Sequence, residues 1–167
     1  MTPSDLVLLT AIIAYFCLGV ALVSKAPKIF FKTNLVGFAL SSFLWALGVF
    51  AFRNLPLGIA PLSFLNNLLY FFSGCIAAFF LGLSFNFYLK RNQSFSEYAL
   101  LFLPLIGLVT PIFSNSVSLG VFIKGVRGMQ LGGWFVPFYA YIIIYFLAGM
   151  AVLYRAYYKT NAVTIKN

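Results

Sequence analysis

The sequence contains no histidine and only two carboxylates, Asp5 and Glu97, among its 167 residues. Without imidazole, axial haem ligation by histidine, zinc sites built with histidine and histidine-based acid–base catalysis are all excluded. Asp5 lies near the start of the first apolar run and Glu97 in the connection before the fourth. That spacing predicts opposite faces of a bilayer, so the two cannot work as a catalytic pair. No Asp, Glu, Lys or Arg interrupts the middle of an apolar run. Pumps and proton-coupled carriers usually need such a group at membrane depth, so the sequence argues against proton-coupled transport by this chain alone. Cysteine is scarce too: Cys17 and Cys75 sit inside apolar runs and in no spacing motif. There a thiol behaves as a small hydrophobe and reads as packing. No catalytic residue, cofactor or metal site emerges. The opening MTPSD lacks the basic stretch of a cleaved signal peptide, so the first apolar run is expected to stay as a membrane span.

What the chain has in abundance is apolar surface. Its residues are 63% hydrophobic and 8% charged, whereas a soluble domain is about 45–50% apolar and about 25% charged. A soluble fold of about 150 residues still exposes roughly a third of its surface and could not hide so much. The composition predicts an all-α integral membrane protein in a lipid bilayer, a single transmembrane domain over 1–167. The formal charge of +9 comes from basic residues set singly or in pairs between apolar runs, where topology signals sit. Attraction to anionic lipid headgroups, about 1 kcal/mol for each juxtamembrane cation, accounts for it better than nucleic acid.

A spanning helix needs about 20 mostly apolar residues, and five stretches qualify: Leu6–Ser24, Leu35–Phe52, Phe64–Leu89, Tyr98–Phe113 and Trp134–Tyr154. The fourth is short and holds Pro104 and Pro111, tolerable in a membrane helix where neighbours satisfy the freed carbonyls. Lys25, Lys28 and Lys32, then Lys90 and Arg91, then Arg155, Lys159 and Lys166 fall on one side, eight in all; Arg53, Lys124 and Arg127 fall on the other. The positive-inside rule then sets the N-terminus outside and the C-terminus in the cytoplasm, as expected of a multi-pass protein of a cell's inner (plasma) membrane. Among the outer connections, RNLPLGIAPLS (Arg53–Ser63) reads as a structured turn. Asn115–Gly133, with glycines at 120, 125, 128, 132 and 133, reads as a hairpin or re-entrant flap, or else a flexible loop.

Within the third span, Gly74, Ala78 and Gly82 fall four apart, a small-residue ridge that lets another helix approach closely. Asn66 and Asn67 open that span and Asn86 closes it; buried amides in hydrocarbon seek partners on other helices. Trp45, in the middle of the second span, is an unusual site for a residue that favours interfaces. Its indole N–H needs an acceptor, which predicts that it faces the bundle, as core or as the lining of a pocket. Trp134, Tyr154, Tyr157 and Tyr158 suit the aromatic belts.

Several stretches together resemble the N-terminal seven-transmembrane sensor region of bacterial histidine kinases. The residues are NLVGFALSSFLWALGVFAF (Asn34–Phe52), FNFYLKR (Phe85–Arg91), LFLPLIGLVTPIF (Leu101–Phe113) and GGWFVPFYAYIIIYFLAGMAVLYR (Gly132–Arg155). The resemblance runs from Asn34 to Arg155 and rests on hydropathy and on a few aromatic, proline and glycine positions. It implies five of the family's spans, with two more spans and a cytoplasmic kinase module to follow. It also implies a membrane-embedded sensory input domain, non-catalytic by itself, that reads a small ligand or lipid signal and passes it through the fifth span. Trp45, Asn67, Tyr70 and Trp134 are the candidate signal contacts, each of which also reads as packing. A homodimer or larger membrane assembly is expected. The alternative is a small structural or accessory subunit of a larger membrane complex, for which the Gly74–Ala78–Gly82 ridge and the aromatic surface are equally suited.

Overall fold

The computed structural model describes residues 3–25, 31–56, 58–124 and 126–164, with backbone alone at residues 3, 23, 25, 120–129 and 160–164. Gly125, Lys28 and Lys166, used in the sequence reading, lie outside the described residues. Five helices run through it: α1 (Pro3–Lys25), α2 (Lys32–Asn54), α3 (Ile59–Leu89), α4 (Phe95–Phe113) and α5 (Phe135–Thr164). All five are long and apolar enough to cross a membrane. The connection from α4 to α5 is an antiparallel hairpin, β1 (Ser118–Lys124) and β2 (Val126–Leu131), with an irregularity in register between Ser118 and Gly120. The molecule is therefore a helical bundle with a small β element at one end, termed below the hairpin end.

Local chemistry explains the helix limits. Pro61 falls in the first turn of α3, where its missing N–H has no intrahelical acceptor to lose. The same helix stops at Lys90, whose φ of 54° is left-handed and whose N–H caps the Asn86 carbonyl at 2.8 Å. Helix α4 starts with a capping box: the Ser94 side chain accepts from the Glu97 N–H, and the Glu97 carboxylate accepts from the Ser94 N–H at 2.7 Å. Pro104 gives no N–H to the turn before it, and in that turn the Leu101 carbonyl receives the Tyr145 hydroxyl of α5 at 2.8 Å.

Helix α3 is the hub, with principal contacts to α2, α4, α5 and β1, whereas α1 packs mainly on α2. Small residues set its spacing from its neighbours. Gly74 faces Leu105 and Gly82 faces Leu101, both on α4, while Gly37 and Gly48 of α2 face Phe79 and Leu69 of α3. Ala78 is fully buried. The main core joins Cys75 and Ala77 of α3, Leu105, Leu108 and Ile112 of α4, Phe138 and Tyr141 of α5, and Val117 beneath the hairpin. Within it the Tyr141 hydroxyl donates to the Gly74 carbonyl at 3.1 Å, which satisfies a polar tip that hydrocarbon cannot.

Trp45 corrects one expectation. It does not face the bundle interior but remains 38% exposed. The buried positions of α2 are Asn34, Ala39, Ser41, Ser42, Ala46, Gly48 and Phe52. Small and polar side chains let helices approach closely, and the bulky indole is left partly outside that contact.

Candidate functional site

The hairpin end is built from the exit of α4. The Pro111 carbonyl accepts from the Ser116 N–H at 3.0 Å and the Val117 N–H at 3.3 Å, so the chain folds back sharply after Phe113. Asn115, at the bend, takes a left-handed φ of 58°, a conformation asparagine tolerates better than most residues. The hairpin closes on this bend, with Gly132 N–H donating to the Val117 carbonyl at 2.9 Å and Trp134 N–H to the Ser116 carbonyl at 3.1 Å.

Beneath that closure lie the amides of α3. The Asn67 side chain donates from Nδ2 to Oδ1 of Asn115 at 2.8 Å, a link from the hub helix to the bend. Asn66 and Asn67 are 2% and 4% exposed, and neither side-chain oxygen has a hydrogen-bond donor among the described residues. One turn further along α3, the Tyr70 ring meets Phe138 of α5 edge-on, with centroids 5.3 Å apart. Phe138 in turn donates its N–H to the Trp134 carbonyl, while the Trp134 side chain is half exposed. Asn67 and Tyr70 thus meet the bend and α5 through their side chains, Trp134 joins the same region through its backbone, and Trp45 stands apart on α2.

At the opposite end a second polar group holds three elements together. Asn34 of α2 donates to Oε1 of Gln93 at 3.0 Å, and Gln93 donates to the Gly82 carbonyl of α3 at 3.3 Å. Next to it Arg91 binds both carboxylate oxygens of Glu97, at 2.6 and 3.0 Å; this hydrogen bonding holds the guanidinium above its usual pKa. Asp5 lies at the hairpin end, almost fully buried against Arg53 at 3.8 Å. Each carboxylate therefore has its own arginine, and the length of α3 separates the two.

The sequence reading missed Asn115, Ser116 and Phe138 as parts of the cluster, because a bend and a chain reversal assemble them. It also missed both arginine–carboxylate pairs, although SFSE (Ser94–Glu97) carries the S-x-x-E pattern of a capping box. No group of three metal-ligating side chains occurs among the described residues. Comparison with protein-family models, with curated proteins and with solved structures finds no match.

Proposed function

We propose that this chain is a membrane-embedded sensory input domain of the histidine-kinase type, inserted with the hairpin outside and the end of α5 in the cytoplasm. The observation that carries the proposal is the cluster at the hairpin base. It ties the hub helix, the α4 exit and the first turn of α5 through Asn67–Asn115, Tyr70–Phe138 and Trp134–Ser116. Helix α5 then runs unbroken for 30 residues to the far end. A signal bound at the hairpin base acts by preferring one packing of that cluster over another, and α5 carries the displacement. Differential affinity for two packings is all that such a switch requires. The two undonated amide oxygens of Asn66 and Asn67 give a polar ligand, or a lipid headgroup, something to bind in one packing and not the other.

The test is alanine replacement of Asn67, Tyr70, Trp134 and Trp45 in the protein as the cell encodes it, with signalling output compared with membrane abundance. The proposal expects output to change at the three clustered positions while abundance holds. Parallel loss of output and abundance at every position would overturn it. The accessory-subunit reading draws on a separate observation, an apolar groove of about 380 Å³ between α1 and α2 flanked by Phe16, Val20, Leu40 and Phe43. Co-purification with a stoichiometric membrane partner, lost on filling that groove by Gly19→Trp, would favour it.

A further inference from the structure

At the end opposite the hairpin, α3, α4 and α5 leave a gap beside their contacts, lined by residues of all three helices. Between them lies an open cleft of about 390 Å³, within the range of small-molecule sites, roughly 300–1,000 Å³. Its walls are apolar, formed by Leu81 and Phe85 of α3, Leu100 and Leu101 of α4, and the Tyr145 ring of α5. Tyr145 offers nothing polar to an occupant, since its hydroxyl is committed to the Leu101 carbonyl. Gln93 is likewise committed at both ends of its amide. The interior is thus suited to hydrocarbon.

The mouth is different. Tyr88 forms part of the lining, and the Lys159 ammonium sits 5.2 Å from its ring centroid, close enough for a cation–π contact. Glu97 forms another part, but both its oxygens are taken by Arg91. The described residues at this end include Lys32, Lys90, Arg91, Arg155 and Lys159 against the single carboxylate Glu97. Positive charge is therefore in excess at the end of the molecule where the apolar slot opens, with Lys159 held against the Tyr88 ring of its lining.

We infer that the cleft binds an anionic phospholipid, with one acyl chain lodged against Phe85, Leu100 and Tyr145 and the phosphate beside Lys159. The chemistry of the occupant follows from the site. An apolar slot with no free polar group selects a hydrocarbon chain, and a lysine held at the rim by an aromatic face selects a negative headgroup. The inference concerns the end remote from the proposed signal cluster and stands or falls independently of the sensory reading.

The experiment equilibrates the protein in bilayers of equal phosphatidylcholine and phosphatidylglycerol, extracts it in a neutral detergent and counts retained lipids by native mass spectrometry. The wild type should retain one phosphatidylglycerol in preference to phosphatidylcholine. Leu100→Trp fills the slot from an exposed position and should lower retention of both lipids several-fold. Lys159→Gln lies beyond the apolar core and should keep lipid but lose the preference for the anionic headgroup. Protection of buried Cys75 from maleimide checks that each variant is folded. Equal retention of the two lipids by the wild type, or undiminished retention by folded Leu100→Trp, overturns the inference.

Discussion

Replacing Gly132 with alanine should open the base of the hairpin, while the same change at the adjacent Gly133 should leave it shut. A Cβ on Gly132 would collide with the Ser116 carbonyl oxygen and come within 2.7 Å of its carbonyl carbon. Both atoms are backbone, so no rotamer change makes room, and the strand base must part from the α4 exit. Parting breaks the hydrogen bonds Gly132–Val117 and Trp134–Ser116, each contributing about 1 kcal/mol net. Alanine also stiffens the unfolded segment, which offsets about 0.4–1 kcal/mol. A net local loss of about 1–1.5 kcal/mol remains, which corresponds to roughly tenfold more frequent opening. Around Gly133 no atom lies within 4 Å of a Cβ, so only the stiffening acts there. Hydrogen exchange of the 116–134 segment, followed by mass spectrometry in detergent, separates the cases. Faster exchange is expected for Gly132→Ala alone, and equal protection in the two variants would refute the steric argument.

Three further outcomes follow from packing and polar satisfaction. Leu105, 2% exposed and seated over Gly74, should lose about 2–5 kcal/mol of stability on truncation to alanine, read as a lowered midpoint in detergent unfolding. Tyr141→Phe and Tyr145→Phe each remove one hydroxyl bond to a carbonyl and should cost about 0.6–1 kcal/mol. Their rings lie 4.3 Å apart, so the double variant should depart from the sum, and strict additivity would show that the two bonds act separately. Gln93→Ala leaves the Asn34 amide buried without its Gln93 acceptor. It should destabilise by about 1–3 kcal/mol, and Gln93→Glu, which keeps an acceptor, should recover part of the loss in the same assay.

The five long apolar helices were legible in the sequence because hydrophobic runs of that length and composition stand out along the chain. Their faces were not. Helix α2 is apolar nearly all round, so hydrophobic periodicity does not say which side meets protein, and Trp45 was misread for that reason. A better signal lay in the small and polar series Asn34, Ser41, Ser42 and Gly48, which marks its buried positions. Helix α5 continues past Tyr154, where the apolar span was expected to end, to Thr164, since a helix that starts in an apolar segment needs no further hydrophobicity to propagate. The hairpin was readable as an option from its glycines. Its docking was not, because that depends on Pro111 and Asn115 bending the chain back onto α3.

The position of the hub helix also bears on biogenesis. Chain segments emerge from synthesis in order, and here each new helix finds its main partner already made. Helix α2 has α1, α3 has α2, and both α4 and α5 dock on α3. Among the described helices none after α1 has to wait for a main partner still unsynthesised, so the bundle can be laid down one helix at a time in the order of its own sequence.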